Sequence, residues 1–182
     1  MANGFLIAVT GKTGAGKTFI CEYFKKMGAK VISADEIGWK VREFPEVKAK
    51  ILKEFGVYKC PALKEIVLRD EEKLKKLNRI VHPVLICELI KEIEMAKSVY
   101  PVIVVDCALI GKWRLEELFD TIIVVDAPEK VRFERKKDRF TYEEFKLLCE
   151  NQPLPYKWDL WIINEKILNK IDLLPLALKI LI

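Results

Sequence analysis

Phe5-Leu6-Ile7-Ala8-Val9-Thr10 runs without a break into Gly11-Lys12-Thr13-Gly14-Ala15-Gly16-Lys17-Thr18. The second stretch fits G-x-x-x-x-G-K-S/T. Its surroundings turn the pattern into a structural statement, because an apolar strand-like run precedes it and a helical stretch, Phe19 to Met27, follows. Glycines let such a loop adopt angles closed to residues with a Cβ, so successive N–H groups can turn inward around an anion. The helix starting near Lys17 adds its N-terminal partial charge and unpaired donors. The spacing predicts that Gly11, Lys12, Thr13, Gly14, Ala15, Gly16, Lys17 and Thr18 wrap a nucleotide polyphosphate. Lys17 then reaches the β- and γ-phosphates, and the Thr18 hydroxyl is a ligand for Mg²⁺.

Working outward, the other strand candidates are Ala29–Ile32, Val102–Val105, Thr121–Val125 and the short Trp161–Ile163. Several are near-continuous apolar runs, as strands covered on both faces require. Helical segments separate them, which argues a parallel α/β sheet with right-handed crossovers. Between the second and third strands, Val47/Ile51/Leu52/Phe55 and Leu74/Leu77/Ile80/Val81 recur at helical spacing, and Leu85/Leu89/Ile93 continue the pattern. After the fourth strand, Pro128 suits a first helical turn, Arg132, Arg135 and Arg139 follow, and Thr141-Tyr142-Glu143-Glu144 offers a helix cap. The expectation is an α/β P-loop NTPase fold of the nucleoside monophosphate kinase-like kind. It has a five-stranded parallel sheet flanked by helices in a single domain spanning 1–182. A helical acceptor-binding insertion is expected at 36–100 and a lid region at 128–152.

Composition narrows the function classes. The chain has 182 residues, is 51% hydrophobic and carries a net charge of +5. That suits one domain with an ample core and excludes a disordered chain. Lysine runs are short and interleaved with acidic residues, so polyanionic small molecules fit and no nucleic-acid motif is found. No apolar stretch is long enough to span a bilayer, and residues 5–10 lead directly into the phosphate loop rather than into a secretory pattern. The apolar end, Leu173 to Ile182, is short and is interrupted by Pro175 and Lys179; a core-packed terminal helix is expected. The five cysteines form no C-x-x-C and there is a single histidine, His82, so a zinc site is not expected and the thiols are taken as reduced. The expected location is cytoplasmic, with no membrane or nucleic-acid partner, as a monomer or weak homo-oligomer.

Further motifs follow the phosphate loop in order. They are Val31-Ile32-Ser33-Ala34-Asp35-Glu36-Ile37-Gly38, Phe55-Gly56, Leu63 to Leu68, Leu77-Asn78-Arg79-Ile80-Val81-His82-Pro83, Asp106-Cys107-Ala108-Leu109-Ile110, Gln152, and Asp159 to Asn164. Their order and spacing resemble the dephospho-CoA kinase family over nearly the whole chain. The resemblance implies ATP and Mg²⁺, with dephospho-CoA as acceptor and its ribose 3′-hydroxyl as the atom phosphorylated. It implies that Asp35 is the general base, and Asp35 also belongs with His82 and Leu109 on the acceptor side. By residue type, Asp35 can equally cap a helix. Asp106 ends a strand, where an acidic residue reaches Mg²⁺ or caps the strand. His82, beside Pro83, can instead fix a bend. Lys17, Arg135 and Arg139 are candidates for charge on the transferring phosphoryl group, and Arg132 for nucleotide binding; a solvated helix face is the alternative for the arginines.

The chain departs from the family pattern at several places. Ser33 stands for the first Asp, Cys60 for an Arg, Ala108 for Pro, and Lys112 where Glu is common. Glu134 falls at the expected first lid arginine, with Arg135 one step along. These changes touch acceptor recognition and leave the ATP chemistry intact. A P-loop kinase with another acceptor and an inactive nucleotide-binding homologue are the alternatives. A GTP-binding protein is a further one, because Asn169-Lys170-Ile171-Asp172 matches N-K-x-D; against it, Asp106 is not followed by D-x-x-G.

Overall fold

The computed structural model describes residues 4–165. Five strands form one parallel sheet: β1 (Phe5–Thr10), β2 (Lys30–Ser33), β3 (Val102–Asp106), β4 (Thr121–Asp126) and β5 (Leu160–Ile163), in the order β2-β3-β1-β4-β5. The central β1 is flanked on both edges, so Leu6, Ile7, Ala8 and Val9 are fully buried. Period-two alternation splits them between two cores. Leu6 and Ala8 pack with Ile103, Val105 and Ile122 on one face; Ile7 and Val9 pack with Val104, Ile123 and Val125 on the other. Carboxylates at strand starts help fix the register: Leu6 N–H donates to Asp120 Oδ2 at 2.7 Å, and Ile122 N–H to Asp159 Oδ2 at 2.7 Å.

The helix α1 (Lys17–Lys26) covers the second face through Ile20, Cys21 and Phe24. The first face carries the helices between β2 and β3: α2 (Ala34–Arg42), α3 (Pro45–Phe55), α4 (Ala62–Val67) and α5 (Glu71–Lys97). Asp70 caps α5, its Oδ1 accepting from the N–H groups of Glu72 and Lys73. α5 is one helix of 27 residues, and Pro83 sits inside it. The bend expected at His82-Pro83 therefore does not end the helix. A mid-helix proline costs about 3 kcal/mol, and the buried row Leu74, Val81, Leu85, Leu89 and Ile93 offsets that through tertiary packing.

After β3 come the short α6 (Ile110–Trp113) and a 3-10 turn at Glu116–Leu118. After β4 come α7 (Glu129–Glu134), a run of turns through Arg139, and α8 (Tyr142–Glu150). The cap read at Thr141 is a full capping box with Glu144, and Pro128 stands immediately before α7. Among the described residues no helix is long and apolar enough to cross a membrane. Asn169-Lys170-Ile171-Asp172 and the apolar terminal stretch lie outside the described residues.

Candidate active site

The site forms where the carboxyl ends of β1, β2 and β3 meet. In register, Asp106 lies beside Val9 on one side and Ser33 on the other. Asp35 follows two residues after Ser33, so the two carboxylates belong to adjacent strand ends. A cavity of about 290 Å³ opens there. Its floor is the phosphate loop, through Thr13, Gly14, Gly16, Lys17 and Thr18; Asp35 and Asp106 form one wall. Arg135, Lys136, Arg139 and Phe140 close the opposite side.

The loop has the form its glycines permit. Gly14 and Gly16 have φ of 84° and 103°, angles rarely adopted by residues with a side chain. Gly16 is the N-cap of α1 and no side chain caps that helix, which leaves first-turn N–H groups for an anion. The back of the loop is tied down. Arg135 Nη1 donates to the carbonyls of Gly14 and Ala15 at 3.1 and 3.2 Å, and its Nη2 donates to the Asn164 carbonyl at 2.9 Å. The buried Asn164 amide also donates to the Ala15 carbonyl, at 2.9 Å. Gln152 Oε1 accepts from both the N–H and the hydroxyl of Thr13.

Thr18 Oγ1 donates to Asp106 Oδ2 at 3.3 Å. Burial holds the Asp106 carboxyl above its usual range, and Asp35 nearby adds to the effect; Lys17, Thr18 and Cys21 oppose it. Asp35 is not the helix cap. Ser33 takes that position, its Oγ accepting from Glu36 N–H at 3.3 Å, which leaves the Asp35 carboxylate to the cavity.

Arg132, in α7, and Arg135, Lys136 and Arg139, in the turns after it, have different surroundings. Arg132 is buried, with Nε on the Ala127 carbonyl at 2.9 Å and Nη1 on Cys149 Sγ at 3.1 Å. It lines a separate cavity of about 380 Å³ with Lys12, Pro128 and Leu154. Arg135 grips the loop. Lys136 and Arg139 face the phosphate cavity, and neither side chain has a hydrogen bond or ion pair among the described residues. Burial lowers the Lys136 pKa, and Arg139 and Lys17 lower it further while Asp35 opposes them. Lys136 was hidden in the sequence inside a Lys-Lys pair that reads as a solvated face; only its phase on the turn gives it away.

Beside this cavity lies an apolar groove of about 330 Å³, walled by Leu63, Val67, Leu68, Leu77 and Leu148 and rimmed by Trp39, Arg42, Cys60 and Lys64. Arg139 and Phe140 line both spaces. The Arg42 guanidinium stacks 4.4 Å from the Trp39 ring centroid, and its Nη1 lies 4.0 Å from Cys60 Sγ. His82 and Leu109 line neither space. His82 Nδ1 accepts from Trp113 Nε1 at 3.0 Å, and Leu109 N–H donates to Cys107 Sγ at 3.3 Å.

The family model for dephospho-CoA kinase matches residues 5–152. The chain belongs to the dephospho-CoA kinase family. Dephospho-CoA kinase of Coxiella burnetii is 26% identical over 174 residues, covering 90% of this chain and 86% of that protein. Dephospho-CoA kinase of Bacillus cereus (strain ATCC 10987) is 32% identical over 165 residues, covering 84% and 82%. The solved structure of TT1252 from Thermus thermophilus superposes with a TM-score of 0.74 at 24% identity, covering 98% of this chain and 96% of that one. That similarity carries the fold alone, a five-stranded parallel sheet flanked by helices. The family also makes this chain a phosphotransferase with a nucleotide substrate.

Proposed function

We propose that the protein transfers the γ-phosphoryl group of ATP to the ribose 3′-hydroxyl of dephospho-CoA, releasing ADP and coenzyme A. One observation carries the reading: the cavity that holds the phosphate loop and Asp35 shares Arg139 and Phe140 with an apolar groove able to take an extended acceptor. The loop N–H groups and Lys17 hold the β- and γ-phosphates. Thr18 and Asp106 present hard oxygen donors side by side, a set that suits Mg²⁺; these two residues would hold the ion, which supplies charge neutralisation on the phosphates. The cavity beside Arg132 and Pro128 takes the nucleoside end.

Asp35 orients the acceptor hydroxyl and takes its proton as the oxygen attacks the γ-phosphorus in line. The bond to the β–γ bridging oxygen breaks, and that oxygen leaves on ADP. Lys136 and Arg139 neutralise the charge spread over the transferring group. Residues 128–152 act as the lid and 36–100 as the acceptor-binding insertion. Arg42, beside Cys60, supplies the positive charge that the family pattern places at position 60. The location this chemistry suits is the cytoplasm, where ATP is abundant.

A second reading, phosphorylation of another small alcohol, is favoured by Cys60 at the groove rim. A panel of hydroxyl acceptors at fixed ATP and Mg²⁺ separates the two. Turnover highest with dephospho-CoA supports the first; an inert dephospho-CoA beside a productive nucleoside or sugar supports the second.

A further inference from the structure

Lys64, in α4, meets the α7–α8 segment at three points. Its ammonium donates to the Arg139 carbonyl, lies 3.7 Å from Glu144 Oε2, and sits 4.5 Å from the Phe140 ring centroid. Every hydrogen bond or ion pair between residues 36–100 and 128–152, among the described residues, passes through this one side chain. Arg139 and Phe140 are also the two residues that wall both the phosphate cavity and the apolar groove, and Lys64 itself lines the groove. Glu144 is set by the capping box with Thr141, so the far end of the strap is anchored on the first turn of α8. The ion pair is partly shielded, with side-chain exposures of 35% and 15%, which sets it apart from the exposed pairs elsewhere on the surface.

We propose that Lys64 is a positioning residue: it couples occupancy of the apolar groove by the acceptor to the placement of Arg139 over the nucleotide phosphates. The inference rests on the reading above that the groove holds dephospho-CoA. Acceptor packed against Lys64 fixes its ammonium. That fixes the Arg139 carbonyl and the Phe140 ring, and the guanidinium of Arg139 then stays at the phosphate cavity. Coupling of this kind is reciprocal, so bound acceptor tightens nucleotide and bound nucleotide tightens acceptor.

The test is calorimetric titration of a non-hydrolysable ATP analogue with Mg²⁺, with and without saturating dephospho-CoA, on wild type, Lys64→Met and Lys64→Arg. The expected wild-type result is a tightening of roughly fivefold or more by acceptor. In Lys64→Met the ratio falls to about one, whatever the affinity for the analogue alone, and Lys64→Arg keeps most of the wild-type ratio. A purely structural role would move both affinities together and leave their ratio intact. Wild-type coupling in Lys64→Met, or no coupling in a wild type that turns over dephospho-CoA, overturns this inference alone. A wild type that neither binds nor phosphorylates dephospho-CoA overturns the reading of the groove and this inference with it.

Discussion

Asp35 stands second in α2, and the cap it was expected to compete for belongs to Ser33. A sequence reader sees Asp before Glu-Ile-Gly and cannot tell a cap from a base, because both roles place a carboxylate at a strand–helix junction. The structure removes the cap reading through one hydrogen bond, from Glu36 N–H to Ser33 Oγ. Asp35→Asn is therefore expected to fold normally and to lower kcat by roughly 10²- to 10⁴-fold, with nucleotide affinity near that of wild type. Steady-state kinetics and analogue titration check it; a kcat near wild type would remove Asp35 from the chemistry. In the proposed lid the sequence offers Arg135, Lys136, Lys137 and Arg139 within five positions, and composition does not rank them. Position on the turn does: Arg135 is spent on loop carbonyls, Lys137 pairs with Glu134 at 2.7 Å, and Lys136 and Arg139 are left at the cavity. Lys136→Met is expected to lower kcat by about 10²- to 10³-fold and Lys136→Arg to recover most of it, since a second cation of similar reach preserves the charge. Equal losses in the two variants would assign Lys136 to packing.

At the scale of elements, the strands were legible because a parallel sheet covered on both faces needs near-continuous apolar runs, and Ile7 to Val9 or Val102 to Val105 leave few other readings. The segment through Pro83 was not. Local rules break a helix there, and only the buried face of α5 against the sheet shows why it continues. His82 then serves as a fastener between α5 and α6 through Trp113. Burial, with Lys112 adding to it, pulls the His82 pKa from 6.5 down to about 4. The sign follows from linkage. Between these values the unfolded chain binds the proton and the folded chain does not, so stability rises with pH across that window. The full contribution is present above about pH 6.5. It falls as pH drops toward 4, by a total on the order of 3 kcal/mol. Urea denaturation from pH 4 to 7.5 checks this. His82→Gln, which can still accept from Trp113, is expected to flatten that part of the profile; an unchanged slope would place the titration elsewhere.

For the whole molecule, two cores lie on either side of one sheet, and the helices between β2 and β3 pack on one face only. The cysteines fit this layout. Cys21, Cys107 and Cys149 are buried, and burial pushes the Cys107 thiol up to about 12, so it packs rather than reacts. Strand alternation and motif order revealed the parallel sheet and the helical stretch between β2 and β3. They did not reveal the groove, whose walls come from α4, α5 and α8, and whose rim pairs Arg42 with Cys60 across 18 positions of chain. Arg42→Ala is expected to raise the KM for dephospho-CoA by roughly 10- to 100-fold, as loss of a charged hydrogen bond predicts, and to leave the KM for ATP unchanged. A matching rise in both would move Arg42 to a structural role. The most direct measurement for the account as a whole is incubation of the protein with ATP, Mg²⁺ and dephospho-CoA, with the product resolved by mass spectrometry and ³¹P NMR. The account predicts coenzyme A, one phosphoryl group heavier and substituted at the ribose 3′ position. Recovery of unaltered dephospho-CoA, with ATP consumed only when some other alcohol is supplied, would contradict it.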